Sequence, residues 1–206
     1  QFIRKYTSKG YTEDMAYRVY TTQLLGNNPK LVLHGGGNTS VKTEARDLDS
    51  KKYEVLCVKG SGWDMGDIEP EGLPAVKLKP LLSMINKKKL SDHDMVNFQK
   101  RTLLDAKSPN PSVETFLHAF LPHKLVDHTH ADAILDITNR PNSLEICKRI
   151  FGPKVGYVPY IMPGFLLAKK VYETYQKNPN VNCLILLNHG IFTFSDSAKE
   201  SYELMI

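Results

Sequence analysis

The amino-acid sequence points to one α/β domain, on three observations. Its 206 residues, 41% of them hydrophobic, suffice for one sizeable core and fit the usual span of a single domain. Short β-prone runs alternate along the chain with stretches of helical apolar spacing. No internal repeat or low-complexity linker interrupts that alternation, so no domain boundary is expected.

The elements follow in order. Thr12 or Asp14 caps a helix reaching Leu25, with Met15, Val19, Leu24 and Leu25 among its apolar positions, and Gly26-Asn27-Asn28-Pro29 stops it. Residues 31–41, LVLHGGGNTSV, read as strand, glycine turn, strand. A further strand, Tyr53 to Val58, runs into KGSGWDMGDIEPEG, a second flexible and donor-rich turn. After a short hydrophobic piece around Val76 to Met84, Ser91 or Asp92 caps a helix from about Asp92 to Leu104. PSVETFLHAFLP, residues 111–122, reads as a helix with Ser112 as N-cap and Glu114 in its first turn, where a carboxylate suits the helix dipole. Residues 124–136, KLVDHTHADAILD, form an apolar β-prone run. A helix from Ser143 to Ile150, a strand from Val155 to Tyr160 and a helix from Phe165 to about Gln176 come next. CLILLNHG, residues 183–190, is a buried strand that breaks as it reaches the surface, residues 191–194 continue beyond it, and Asp196 or Ser197 caps a last helix.

Composition narrows the function. The formal charge of +5 suits anionic metabolites as well as nucleic acid, but the densest basic cluster, Lys87 to Lys89, has no interleaved aromatics and no nucleic-acid module is recognisable. No nucleic-acid partner is expected. The first residues, QFIRKYTSKG, lack an apolar signal core, and no run approaches the roughly 20 apolar residues that span a bilayer. Three cysteines, Cys57, Cys147 and Cys183, are odd in number and far apart, which supports neither a disulfide framework nor a cysteine zinc knuckle. A cytoplasmic protein without a membrane partner is the expectation.

The chemistry concentrates in three segments. His128 and His130 stand two residues apart in a β-prone run, so they share a face and supply half of a tetrahedral zinc site. His189 at a strand end and Glu114 upstream are the candidates to complete it. His118, four residues after Glu114, is a ligand, a supporting partner or core, and Asp127 and Asp132 either orient imidazoles or face solvent. Gly35 to Gly37, followed by Asn38, Thr39 and Ser40, and the turn at Gly60, Ser61 and Gly62 together suggest one anion pocket, although neither GxGxxG nor GxxxxGK[ST] is present. Lys59 beside it is a less favoured Schiff-base nucleophile. His34 is assigned to packing, and His93, between Asp92 and Asp94, to cap and solvent roles.

GGGNTSVK at 35–42, KGSGWD at 59–64, PSVETFLHAFLP at 111–122, DHTHAD at 127–132 and NHGIFTF at 188–194 together resemble the class II aldolase/adducin domain, over nearly the whole chain. KGSGWDMGDIEPEGLPAVKL, SDHDMVN and PNPSVET look more narrowly like the N-terminal half of bifunctional proteins joining a rhamnulose-1-phosphate aldolase domain to a short-chain dehydrogenase domain. The resemblance implies a three-layer αβα sandwich with a mainly antiparallel central sheet, in place of the doubly wound parallel sheet that alternating elements suggest. It implies that residues 1–206 are a single class II aldolase-like domain, the N-terminal part of a longer protein. It implies Zn2+, or another divalent metal, on His128, His130 and His189, with Glu114 as the acid/base residue. Substrate phosphate is implied on Asn38, Ser61, Gly62 and Ser112, in sites between the subunits of a homotetramer.

Two departures stand out. Many phosphate-binding members carry a second hydroxyl residue just before the Glu, where this chain has Val113. Members also use a tyrosine from a neighbouring subunit as proton donor, for which Tyr157 and Tyr160 are candidates by sequence position alone. The expected reaction is reversible cleavage of a ketose 1-phosphate, rhamnulose 1-phosphate-like, into dihydroxyacetone phosphate and an aldehyde such as lactaldehyde. The rivals are an epimerase or dehydratase on the same scaffold, and an adducin-like module without chemistry.

Overall fold

The computed structural model describes residues 1–206. Seven strands form one sheet: β1 (Asn38–Arg46), β2 (Lys52–Val58), β3 (Ala75–Lys77), β4 (Leu125–Thr129), β5 (Val155–Val158), β6 (Cys183–Leu186) and β7 (Gly190–Ser195). Their order is β3-β2-β1-β4-β7-β6-β5, and every pair is antiparallel except β5 with β6. The chemistry sits on the central strands β1, β4 and β7.

Helices cover both faces. On one side lie α3 (Leu78–Ser83), α4 (Asp92–Arg101), α5 (Thr115–Phe120) and α8 (Phe165–Lys177), packed through Leu81, Met95, Phe116, Phe165 and Val171 onto Val126 and Phe192. On the other lie α1 (Phe2–Thr7), α2 (Glu13–Gly26), α6 (Asp132–Thr138), α7 (Ser143–Phe151) and α9 (Ala198–Glu203). This is the three-layer, mainly antiparallel arrangement expected.

The caps resolve the alternatives the sequence left. The Thr12 hydroxyl accepts from the Met15 N–H at 3.2 Å to start α2, and Ser91 accepts from Asp94 N–H at 3.1 Å to start α4. Ser197 accepts from Glu200 N–H at 3.5 Å to start α9, whereas Asp196 accepts from the Lys124 N–H.

Several boundaries differ from the sequence reading, each for a local reason. Residues 31–37 form turns rather than a strand, because Leu31 and Val32 bury among Met65 and Ala131 while His34 and Gly37 take positive φ. The run at 124–136 is strand only to Thr129. Ile134 and Thr138, four apart, are the buried face of α6. The helix expected over 111–122 is the shorter α5, so Glu114 occupies its N-cap position rather than its first turn. Ser112 still serves that end, its hydroxyl accepting from Glu114 N–H and its carbonyl from Thr115 N–H. The short α1, unmarked in the sequence reading, is held by Phe2 against Tyr6 and Tyr20.

Successive residues of β4 face opposite sides, so His128 and Asp127 part company. Asp127 therefore orients no imidazole. It is fully buried and pairs with the equally buried Arg18 of α2 at 2.5 Å, while Ser201 of α9 donates to its other oxygen. Asp127→Asn leaves the Arg18 charge without its counterion in the core. A loss of about 3 kcal/mol is expected, read as a lower urea midpoint at unchanged slope.

Candidate active site

His128 pairs across the sheet with Asn38 of β1 and Phe192 of β7, and its ring stacks on Phe192 with centroids 4.1 Å apart. Its Nδ1–H donates to the Ile191 carbonyl at 3.0 Å, which fixes the tautomer and turns the bare Nε2 inward. His130 stands one residue beyond the strand, and His189 lies in the turn between β6 and β7. Asn188 takes φ 57° in that turn, and its amide donates to Asn139 Oδ1 at 2.9 Å. The three rings converge, with centroid separations of 4.8, 5.0 and 5.5 Å. Burial first, and the neighbouring imidazoles second, push the pKa of His128 down to about 3 and that of His189 to about 4, so both rings are neutral at pH 7.

Glu114 reaches the same point from the α5 side. Its Oε1 lies 3.3 Å from His189 Nε2 and its Oε2 3.5 Å from His128 Nε2. Asn38 Nδ2 donates to Oε2 at 2.7 Å and to the Ser112 hydroxyl at 3.2 Å. Oε1 and His128 Nε2 are buried without a hydrogen-bond partner. Such buried polar atoms are costly unless something else uses them.

These donors fit a divalent cation. The ligand atoms of His128, His130 and His189 lie within 4.8 Å of one another, so a common centre lies no more than about 2.8 Å from each, against zinc–nitrogen bonds near 2.1 Å. Closure by a few tenths of an ångström completes the set, and nitrogen ligands with a carboxylate oxygen nearby suit zinc and its divalent neighbours.

Glycines make this convergence possible. A Cβ at Gly190 would meet the Thr129 carbonyl oxygen at 2.4 Å, His128 Cε1 at 3.0 Å and His130 Cδ2 at 3.1 Å. Gly190→Ala is therefore expected to displace two imidazoles and weaken metal binding by roughly tenfold or more, read by competition with a chelating dye. At Gly37, which takes φ 65°, a Cβ would likewise lie 2.7 Å from the His128 carbonyl oxygen.

Beside the imidazoles opens a cavity of about 240 Å³, lined by Gly35 to Asn38, Lys59 to Gly62, Ser112 to Glu114, His130, Pro163 and His189. Its two loops are stitched together. Ser61 N–H donates to Asn110 O, Ser112 N–H to Lys59 O and Gly60 N–H to Gly72 O. The Ser61 hydroxyl and the Gly62 N–H make no hydrogen bond within the chain. Lys59 is almost fully buried, its ammonium held only by the Gly35 and Gly60 carbonyls at 3.3 and 3.5 Å, and burial lowers its pKa.

Every residue expected in the site is thus brought to one place: Asn38, Ser61, Gly62, Ser112, Glu114, His130 and His189 on the cavity wall, and His128 directly behind it. Neither tyrosine candidate is among them. The Tyr157 hydroxyl donates to the Cys147 and Gly152 carbonyls, and Tyr160 is half exposed outside the wall. Val113, singled out in the sequence beside Glu114, is on the wall, whereas the sequence reading missed Pro163 as a wall residue and Ser40 as a partner of His118. Alternation along β1 would have found Ser40, on the same face as Asn38.

The family model for the class II aldolase and adducin N-terminal domain matches residues 18–206. The chain belongs to this family. Among class II aldolase domains, the N-terminal one of a conserved protein from Thermoplasma acidophilum superposes with a TM-score of 0.86 at 43% identity, covering 94% of this chain and 89% of that one. A Bacillus subtilis protein named as the uncharacterized oxidoreductase YuxG is 37% identical over 188 residues, 91% of this chain and 27% of the relative. The chain thus spans about a quarter of that relative's length, and the oxidoreductase in its name is not carried over to residues 1–206. The l-fuculose-1-phosphate aldolase of Thermus thermophilus shares the fold, with a TM-score of 0.56 at 18% identity, covering 92% of this chain and 88% of that one. No helix of the chain is long and apolar enough to cross a membrane.

Proposed function

We propose that the chain is a metal-dependent class II aldolase that reversibly cleaves a ketose 1-phosphate, rhamnulose 1-phosphate-like, into dihydroxyacetone phosphate and an aldehyde such as lactaldehyde. One observation carries the reading: a buried carboxylate, Glu114, stands between a three-imidazole cluster and an anion cradle in a single cavity. His128, His130 and His189 would hold the divalent ion, zinc first among the candidates. When bound, that ion supplies positive charge to oxygens beside the reacting carbon.

The chain's own groups do the rest. The Ser61 and Ser112 hydroxyls and the Gly62 N–H bind the phosphate, and the Asn38 amide, whose two hydrogens go to Glu114 and Ser112, holds Ser112 in place for it. The Lys59 ammonium adds charge where the family's second hydroxyl is replaced by Val113. Glu114 Oε1, which has no hydrogen-bond partner and belongs to a side chain on the cavity wall, takes the proton at the carbon beside the ketone and returns it. The fit of the l-fuculose-1-phosphate aldolase fold supports a ketose 1-phosphate as substrate class.

A panel of rhamnulose 1-phosphate, fuculose 1-phosphate and ribulose 5-phosphate, assayed on the metal-loaded chain by product analysis, tests this. Triose phosphate plus aldehyde from one of the 1-phosphates is the expected result. Turnover of ribulose 5-phosphate without cleavage replaces the aldolase by an epimerase. Absence of both turnover and metal affinity favours the adducin-like module.

We also propose that the cavity is completed at a subunit interface in a homotetramer. Val113 on its wall is an exposed apolar side chain, and so are Tyr160, Met162 and Leu166, within three residues of the wall residue Pro163 in the chain. Sedimentation should give a mass about four times that of one chain, and Met162→Glu should shift it downward.

A further inference from the structure

His118 is completely buried on α5 and stands outside the groups that face substrate. We propose that His118 is a positioning residue: it fixes the side-chain amide of Asn38 and, through that amide, decides which oxygen of Glu114 handles the proton. The role of the proton rests on the aldolase reading above, whereas the orientation of the amide does not.

The chain of contacts follows from donor and acceptor chemistry. An ionised carboxylate only accepts, so the nitrogen of the Asn38 amide must face Glu114, which it does at 2.7 Å. The amide oxygen then points the other way, at His118 Nε2, and an acceptor there requires that Nε2 carry the hydrogen. A neutral ring protonated on Nε2 has a bare Nδ1, which accepts from the Ser40 hydroxyl at 2.8 Å. Burial keeps that ring neutral, its pKa well below 6.5. Each link thus has one allowed direction, and Ser40, itself fully buried, ends the series.

Without the Nε2–H, the amide oxygen has no donor, and the Glu114 and Ser112 contacts alone hold the amide in this orientation. Turned over, it would present its oxygen to the carboxylate and lose the Glu114 contact. In the observed arrangement Oε2 is occupied by the amide, and Oε1 is left without a hydrogen-bond partner 3.3 Å from His189 Nε2. The two oxygens are made unequal, and the proton is directed to Oε1. Packing alone does not need an imidazole here. The ring meets Phe192 edge-on at 5.6 Å, a contact that a phenyl ring would make as well.

The test uses His118→Phe, His118→Gln and Asn38→Ala in the whole chain, with three readouts: kcat and KM on the ketose 1-phosphate, the affinity of the metal-free protein for inorganic phosphate, and the side-chain amide resonances of Asn38, assigned by their loss in Asn38→Ala. His118→Phe should lower kcat by roughly 10 to 100-fold, the worth of one hydrogen bond to a charged group, with weaker phosphate binding and displaced amide resonances. His118→Gln, which places an N–H near the lost Nε2–H, should recover kcat to within about threefold of the native chain. On the Asn38→Ala background, His118→Phe should cost less than about twofold, because its effect passes through the amide. Losses that multiply, or a His118→Gln no better than His118→Phe, overturn the proposal. If His118→Phe does not fold, His118→Asn replaces it: its shorter amide reaches Ser40 but not Asn38, and the same loss is expected. A native chain that turns over no ketose 1-phosphate overturns the aldolase reading alone. The Asn38 resonances then decide the positioning role, and unchanged resonances end it.

Discussion

Glu114→Gln should lower kcat by at least 10²-fold while the protein still binds metal and inorganic phosphate. The magnitude follows from the worth of a positioned general base, about 10² to 10⁴-fold. The separation of effects follows from the contacts. A glutamine carbonyl can still accept from Asn38 Nδ2, so the amide that serves the phosphate end keeps its place. What the variant loses is a basic oxygen at the Oε1 position, the one polar atom of this side chain that faces the imidazoles without a hydrogen-bond partner. Two of the three imidazoles are held by other means: the Ile191 carbonyl and the Phe192 stack for His128, and the Asn188–Asn139 contact for the turn that carries His189. Metal content by elemental analysis, phosphate affinity by calorimetry and exchange of the dihydroxyacetone phosphate C3 proton with deuterated solvent separate binding from proton transfer. Exchange at the native rate in Glu114→Gln would remove Glu114 from the mechanism.

How much of this site was legible in the sequence depends on what each residue needs from its neighbours. The imidazoles were visible because a two-residue spacing in a strand has one geometric meaning, and because a turn ending in Asn-His-Gly has few others. Glu114 was placed on the right segment but in the wrong turn, since the pattern over 111–122 does not reveal that Ser112 bends the chain before α5 begins. Asp127 looked like a partner of His128 and belongs instead to the opposite face, where Arg18, 109 positions earlier in the chain, meets it. Local spacing carries no information about such a pair. The same holds for His118, whose use is set by Asn38 and Ser40 across 80 and 78 residues. Sheet direction was not legible from alternation either. Hairpin partners β1 with β2 and β6 with β7 are adjacent in sequence, but β4 enters between β1 and β7 from far along the chain, and only the family resemblance supplied the mainly antiparallel sheet.

The buried imidazoles also make the metal-free protein sensitive to acid. His128 and His189 have folded-state pKa values of about 3 and 4, against 6.5 when exposed, because burial disfavours their charged forms. Below pH 6.5 the unfolded chain binds protons that the folded chain refuses, so stability is complete above 6.5 and is lost as pH falls toward 4 and then 3. At pH 4.5 each of the two has removed on the order of 2 kcal/mol, and His118 and His123, both lowered by burial, act in the same direction. The sum is comparable with the roughly 5–15 kcal/mol that holds a typical domain together. Asp47, Glu69 and Asp94, whose carboxyls are held below their ordinary values by hydrogen bonds from their partners, act in the same direction as pH falls. Urea unfolding of the chelator-treated chain should therefore show a much lower midpoint at about pH 4.5 than at pH 7. His128→Phe, whose ring can keep the stack on Phe192, should recover on the order of 2 kcal/mol of that difference. Bound metal adds to the contrast, since it requires the same nitrogens deprotonated, and its stabilisation should vanish over the same range. Equal midpoints at the two pH values would mean that the His128 and His189 rings are open to protons in the folded chain, and the burial assigned to them would be lost.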